Sequence, residues 1–266
     1  EPNLADDIVG GIEVACDGSL NPMALCNGLT NGARKFGATV LNSTPVTGIS
    51  LGANGKVEKI LTNKDSIATE NVVNAAGVWS PEIGEMVGLD IPVKPRQGQL
   101  IVGERSLPVA KRKISEFGYI MAKFETLDYQ RNVTPEMEKY GVALVFEPTA
   151  ALNFLIGSSR QFVGMDTACD PAVLRAMAQR ALRFFPVLED IKIIRTYAGL
   201  RPYTPDHNPI ISDTRLPGFY IATGHEGNGI GLSLITGQLI TQMICRSEPD
   251  ISLEPLRFDR FDQDQQ

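Results

Sequence analysis

The chain has 266 residues, 43% of them apolar, 21% charged and 7% aromatic, with a mean hydropathy of −0.04. That length and apolar content can bury one large core or two smaller ones, which excludes low complexity and wholesale disorder. Lys and Arg number 25 against 31 Asp and Glu, a formal charge of −6 with a pI of about 5.1; nucleic acid and anionic membrane are excluded as main partners, because both require a basic face.

No uninterrupted apolar run reaches the roughly 18 residues that a membrane helix needs. The most apolar stretch, 229–244, is broken by Ser233, Thr236, Gln238, Thr241 and Gln242. Cys16, Cys26, Cys169 and Cys245 lie far apart with no C-x-x-C. They read as reduced thiols of a cytoplasmic protein. His207 and His225 are the only histidines, so no metal site is expected. The opening Glu1-Pro2-Asn3 has neither the basic nor the apolar region of a signal peptide.

Asn21-Pro22 predicts a capped helix start. Leu25, Leu29, Ala33 and Phe36 then fall at helical spacing, and Gly37 supplies a stop. Short strands are predicted over 38–41, 46–50 and 57–62, with turns at Asn54-Gly55 and Asn63-Lys64-Asp65. Residues 71–76 read as a strand ending at Gly77, and Ser80-Pro81 opens a helix that Gly88 closes. Residues 92–99, rich in Pro, Gly and basic side chains, read as a crossing between lobes. Strands are predicted at 99–102, 119–122, 142–147 and 154–157, with a polar surface insertion over 126–140. Asp170-Pro171 caps an amphipathic helix with Val173, Leu174, Met177, Ala178, Ala181, Leu182 and Phe185 on one face, ended by Pro186. A strand over 191–198 is left by Gly199-Leu200-Arg201-Pro202. A last strand, 218–223, runs into a glycine loop and then a helix to about Cys245. The alternation predicts an α/β or α+β chain with two lobes.

Three segments carry chemistry. Glycines at 224, 227, 229 and 231 let backbone approach a ligand, and the following helix aims unpaired N–H groups and its positive end at the same loop. That suits an anion or an electron-rich ring edge, although a tight strand-to-helix turn would look the same. Arg201, between a strand end and Pro202, presents a planar fork suited to a carboxylate. The alternative is a structural ion pair to one of the many acids, Asp206 included. Ala75-Ala76-Gly77-Val78-Trp79-Ser80 puts small residues at a strand end, open either to a cofactor or to simple strand–helix packing.

Taken in order, Asn21-Pro22, the run from Asn71 to Ser80, Pro95-Arg96-Gln97-Gly98-Gln99, the run from Ala198 to Asp206, and the run from Gly224 to Ile230 resemble the FAD-dependent amine and amino-acid oxidoreductases of the glycine oxidase and D-amino-acid oxidase (DAO) type. The 224–230 version looks most like amino-acid dehydrogenase subunits of the proline, opine or cyanide-forming glycine type. The resemblance spans nearly the whole chain. It implies an incomplete FAD-binding domain of the glutathione-reductase-like type over 21–95 and 199–250. A mixed or antiparallel-sheet substrate domain over 1–20 and 96–198 and a tail over 251–266 complete the expected organisation.

By position, the resemblance implies that Val46 reaches the adenine end of FAD and that Ala75, Ala76, Gly77 and Trp79 line the dinucleotide. His225, Glu226, Gly227, Asn228, Gly229, Ile230 and Gly231 would run along the flavin ring. Arg201 would bind the substrate carboxylate and Tyr119 would lie over the substrate. Gly227 stands where glycine oxidases carry a second arginine, which leaves room for a substrate larger than glycine. The implied reaction is oxidation of an amine Cα–H by hydride transfer to flavin N5, which needs alignment more than acid–base residues. An electron-acceptor protein or companion subunit is an expected partner.

No segment here is the G-x-G-x-x-G strand–helix unit with which that family grips the pyrophosphate. The chain starts roughly 140 residues into the family pattern, about one domain's length. It is therefore expected to be a fragment of a longer parent and inactive alone, with an exposed sheet edge favouring self-association. The alternatives are a non-catalytic subunit that kept the substrate lobe, and a 2-hydroxy-acid oxidase on the same scaffold.

Overall fold

A computed structural model describes residues 1–121 and 130–265, with side chains to residue 261. In chain order the elements are α1 (Pro22–Lys35), β1 (Val46–Leu51), β2 (Val57–Thr62), β3 (Ser66–Ala68), β4 (Val72–Asn74), α2 (Ser80–Glu85), β5 (Lys94–Gly103), β6 (Ile114–Ser115), α3 (Phe117–Met121), α4 (Pro135–Lys139), β7 (Val145–Pro148), β8 (Phe154–Gly157), α5 (Pro171–Phe184), β9 (Ile193–Tyr203), β10 (Ile210–Asp213), β11 (Phe219–Thr223) and α6 (Gly229–Cys245). Short 3₁₀ turns fall at Gly77–Trp79, Pro186–Asp190, Glu254–Leu256 and Phe258–Gln265. No described helix is long and apolar enough to cross a membrane.

The chain divides into two compact units. One is Glu1–Leu20 with Arg96–Leu200, the other Asn21–Pro95 with Arg201–Gln266. The first is built on a five-stranded sheet in the order β6-β7-β8-β5-β9, in which β6–β7, β7–β8 and β5–β8 pair antiparallel. Its core joins Phe146, Phe154 and Phe185, with Phe146 centred 4.8 Å from Phe154 and 4.9 Å from Phe185. Burying each such ring stabilises the fold by about 1.5–3 kcal/mol. Helix α5 covers this core because Val173, Ala176, Met177 and Ala181 repeat at helical spacing and are all buried. Asp170 Oδ1 starts the helix by accepting from Ala172 N–H at 2.8 Å.

The second unit holds two three-stranded sheets, β1-β2-β3 antiparallel and β10-β11-β4 mixed. Strand β11 pairs antiparallel with β10 and parallel with β4, in the register Phe219↔Val72 to Ile221↔Asn74. Its core gathers Val57, Val72, Ile91, Ile210, Phe219 and Ile221. In α1, Asn21 Oδ1 accepts from Met23 and Ala24 N–H at 3.0 and 3.1 Å, and Arg34 and Lys35 sit at the negative end. No α1 residue is buried; Phe36, just past its end, is 94% exposed.

Several expectations change. Residues 38–41 form no strand, having no partner for a ladder among the described residues. Phe117–Met121 is a helix where 119–122 reads as a strand, a short apolar run having no period that separates the two; Ala122 lies outside the described residues. Of the insertion, 126–129 lie outside the described residues, and Pro135–Lys139 is a helix that buries Met137. The 92–99 crossing is a strand from Lys94 onward. Arg201 and Pro202 lie within β9 and do not leave it, since β9 is a sheet edge, where proline is tolerated. Residues 251–261 pack: Phe258 and Phe261 lie against the second core, and Arg260 holds Asp206 at 2.7 Å.

Candidate functional site

In the second unit the carboxyl ends of the parallel strands β4 and β11 open side by side, the place where open α/β sheets accept ligands. Buried polar side chains tie the two exits together. Asn74 Nδ2 donates to Ser80 C=O at 2.9 Å, and its Oδ1 accepts from Ala76 N–H at 3.3 Å, which sets the turn through Ala75, Ala76 and Gly77. Ser80 Oγ donates to Thr223 Oγ1 at 2.9 Å, and Thr223 donates onward to Gly77 C=O at 3.0 Å. A hydroxyl relay therefore locks the β4 exit to the β11 exit. Gly77 takes φ +59° with open space where a Cβ would stand. Trp79, in the following 3₁₀ turn, is 53% exposed.

The β11 exit begins at Gly224, φ +78°, packed against Thr204. Glu226 is a hub. Its N–H donates to Pro202 C=O at 3.2 Å, and its Oε1 lies 2.8 Å from His207 Nδ1. Both contacts bind the Arg201–His207 segment to the glycine loop. Tyr203 meets His207 edge-on, ring centroids 5.2 Å apart. Glu226 holds this place at φ +48°, a conformation disfavoured for a side-chain-bearing residue. Asp206, the acid considered as a structural mate for Arg201, is held by Arg260 through both carboxylate oxygens, at 2.7 and 3.1 Å. Those bonds outweigh the opposing effect of burial and hold Asp206 below the usual carboxylate range.

His225 donates from Nε2. Thr236 spends its own hydrogen on Leu232 C=O at 2.8 Å, so its oxygen accepts from the ring at 2.9 Å. Burial lowers the His225 pKa, so the ring is neutral at pH 7 with Nδ1 as an acceptor. The helix α6 starts at Gly229 with no side-chain cap from Asn228 and no acid in its first turn. Its first N–H groups and positive dipole end are therefore available to a ligand. Gly227, Asn228, Ile230 and Gly231 are exposed, and Gly231 has open space at its Cβ position.

The structure thus ties the turn holding Ala75, Ala76, Gly77 and Trp79 to Thr223, the residue before the glycine loop, and ties Pro202 and His207, which flank the segment after Arg201, to Glu226. Val46 starts β1, in the other sheet of that unit, paired with Thr62. Tyr119 belongs to the first unit, in α3. The sequence reading assigns no site role to Asn74, Thr223 or His207, and takes Ser80 only as the end of the small-residue run and the start of a helix. The signal available was a polar residue at the end of each apolar strand. Among the described residues no group of three or more His, Cys, Asp or Glu could hold a metal.

The hydrogen cyanide synthase subunit HcnC of Pseudomonas protegens is 29% identical over 264 residues, covering 98% of this chain and 57% of the relative. Glycine oxidase of Geobacillus kaustophilus is 26% identical over 262 residues, covering 98% of this chain and 63% of the enzyme. The chain thus spans less than two thirds of the length of these relatives. Among solved structures, L-proline dehydrogenase from P. horikoshii superposes with a TM-score of 0.78 at 24% identity, over 91% of this chain and 60% of that one. The match to the profile described as DAO, FAD dependent oxidoreductase, runs over residues 1–243, and the chain belongs to that family.

Proposed function

We propose that the protein serves FAD-dependent oxidation of an amino acid or related amine at its Cα–H, with Arg201 holding the substrate carboxylate. The observation that carries this reading is the 3.2 Å bond from Glu226 N–H to Pro202 C=O, which sets the arginine segment beside the glycine loop. The residues fit the cofactor. Gly77 and Gly231 offer backbone that no side chain shields, at neighbouring strand exits, and α6 presents N–H groups free of a side-chain cap. Ala75, Ala76, Gly77 and Trp79 would line the dinucleotide, Val46 would reach toward adenine, and residues 225–231 would follow the ring edge.

When bound, FAD supplies the hydride acceptor. The chain's own residues supply alignment and electrostatics. Arg201 fixes the carboxylate by two-point contact, so that one Cα–H keeps a single orientation. The α6 N–H groups and dipole favour negative charge at the ring edge. Neutral His225, bonded to Thr236, holds the loop and carries no proton to the reaction. Tyr119 is assigned to the substrate by the resemblance, as is the room that Gly227 leaves where glycine oxidases carry a second arginine. We further propose that the pyrophosphate grip lies in sequence outside these residues and that activity requires it. Two relatives whose names mark them as subunits, HcnC and an opine oxidase chain of Agrobacterium tumefaciens, support a companion polypeptide or electron-acceptor protein. Four unpaired cysteines support a cytoplasmic site.

The test uses the product of the complete reading frame that contains this sequence, reconstituted with FAD. A flavin absorbance band that a substrate amine bleaches is expected, and no band sinks the reading. Arg201→Ala should raise KM for a carboxylate-bearing amine by about 10- to 150-fold, since a charge-assisted contact is worth about 1.5–3 kcal/mol. An unchanged KM removes Arg201 from the role.

A further inference from the structure

Two residues in a backbone conformation suited to glycine meet each other at the candidate site. His207 takes φ +62° and Glu226 φ +48°, two of the five non-glycine residues with positive φ among those described. His207 Nδ1 lies 2.8 Å from Glu226 Oε1; a carboxylate only accepts, so the ring carries a hydrogen on Nδ1 and donates it. The Glu226 side chain is 10% exposed, which shields this bond from water. Such conformations persist only where the surroundings over-determine them. At His207 the surroundings do. Its N–H donates to Thr204 C=O at 3.1 Å, and buried Thr204 donates from Oγ1 to Asn208 C=O at 2.8 Å. Arg260 grips the same turn through both Asp206 carboxylate oxygens and through Asn208 C=O at 3.0 Å. Glu226 is then held from this turn, by its side chain to His207 and by its N–H to Pro202 C=O at 3.2 Å. The chain of contacts from Arg260 to the glycine loop lies within one unit. Glycine stands at 224, 227, 229 and 231, yet position 226 carries a side chain where glycine would be at ease. The bond to His207 is what that side chain adds.

We propose that His207 is a positioning residue that acts through Glu226: the clamp fixes the shape of the 225–231 loop, and with it the aim of the loop and α6 N–H groups at the flavin ring edge, so that it sets the reduction potential of the bound cofactor. This role rests on the amine-oxidation reading above and adds to it a residue outside the loop. N–H groups and a positive helix end favour the negative charge that a flavin gains on reduction. A loop released from the clamp spreads over several shapes and holds those donors on target only part of the time. The charge is then less stabilised, and the potential falls. Neither side chain of the clamp needs to touch the cofactor for this effect.

The experiment uses the FAD-loaded product of the complete reading frame, with the flavin potential measured by anaerobic equilibration against a reference dye. His207→Gly removes the ring and relieves the backbone at once. It should lower the potential by about 30 mV, which is about tenfold in the two-electron equilibrium. His207→Asn keeps a short amide donor on a residue type that tolerates positive φ, and should recover at least half of the shift. Glu226→Gly cuts the same contact from the other side. It also removes a negative charge, which by itself would raise the potential, so a fall in this variant reports the loop's shape. On the Glu226→Gly background, His207→Gly should lower the potential no further. A shift under about 15 mV in His207→Gly, about threefold, would overturn the proposal. So would no recovery in His207→Asn, a rise in Glu226→Gly, or a full second fall in the double variant. If His207→Gly does not fold, the sign of the Glu226→Gly shift decides. A wild type that binds no FAD sinks the amine-oxidation reading and the clamp with it. A wild type that binds FAD and oxidises an amine, at a potential that the variants leave unmoved, sinks the clamp alone.

Discussion

Gly224→Ala tests whether the β11 exit is built as described. A Cβ on residue 224 would stand 2.5 Å from Thr204 Cγ2, with Ile210 N and Pro209 Cα at 3.6 Å. Thr204 is fully buried, and its Oγ1 donates to Asn208 C=O at 2.8 Å. Rotating the methyl aside would therefore forfeit that bond. The backbone at φ +78° adds its own cost. A left-handed conformation in an L-residue costs about 1–2 kcal/mol, and overpacking a filled site about 1–3 kcal/mol. The two together come to about 2–5 kcal/mol. Urea unfolding followed by fluorescence of Trp79, the single tryptophan, reports on the unit that holds the loop. Thr204→Ser removes Cγ2 and keeps Oγ1. On that background Gly224→Ala should cost only the backbone part, about 1–2 kcal/mol. A cost below about 0.5 kcal/mol in the wild type, or no relief from Thr204→Ser, would refute the close packing of loop and strand.

Two further outcomes follow from buried charge. Glu116→Gln leaves the Arg131 and Arg180 guanidinium groups without their shared carboxylate, and should cost about 3–5 kcal/mol in urea unfolding followed by circular dichroism; a cost under about 1 kcal/mol would mean that water already screens the triad. His225 has a folded-state pKa below the ordinary imidazole value because it is buried, so below about pH 6.5 the unfolded chain binds the extra proton first. Its contribution to stability is complete above that pH and is lost as pH falls, at no more than about 1.4 kcal/mol per pH unit. His225→Asn should flatten the slope of the unfolding free energy between pH 7 and pH 5, measured in matched buffers, and an unchanged slope would assign it to other groups.

Much of the helical frame is legible from local chemistry. Asn21-Pro22 and Asp170-Pro171 announce α1 and α5 because a cap bonds to N–H groups two or three residues away. The glycine loop before α6 is legible for a different reason: that helix has no side-chain cap, and the closely spaced glycines themselves mark the strand-to-helix turn. Strand extents are less so. β9 runs on through Arg201-Pro202 because it is an edge strand, and that status depends on which strands pair elsewhere. Residues 119–121 turn into helix against the strand reading, since three or four apolar residues do not distinguish the two periods.

Local sequence alone determined the caps, the glycine positions and the family likeness, because each depends on residues close together in the chain or on an ordered set of short motifs. Tertiary structure decided the Ser80–Thr223–Gly77 relay, the capture of Asp206 by Arg260 in place of Arg201, and the seating of Arg160 on Tyr119. Those contacts join residues from 41 to 146 positions apart, and which distant polar groups must satisfy one another is settled only when the sheets close and exclude water.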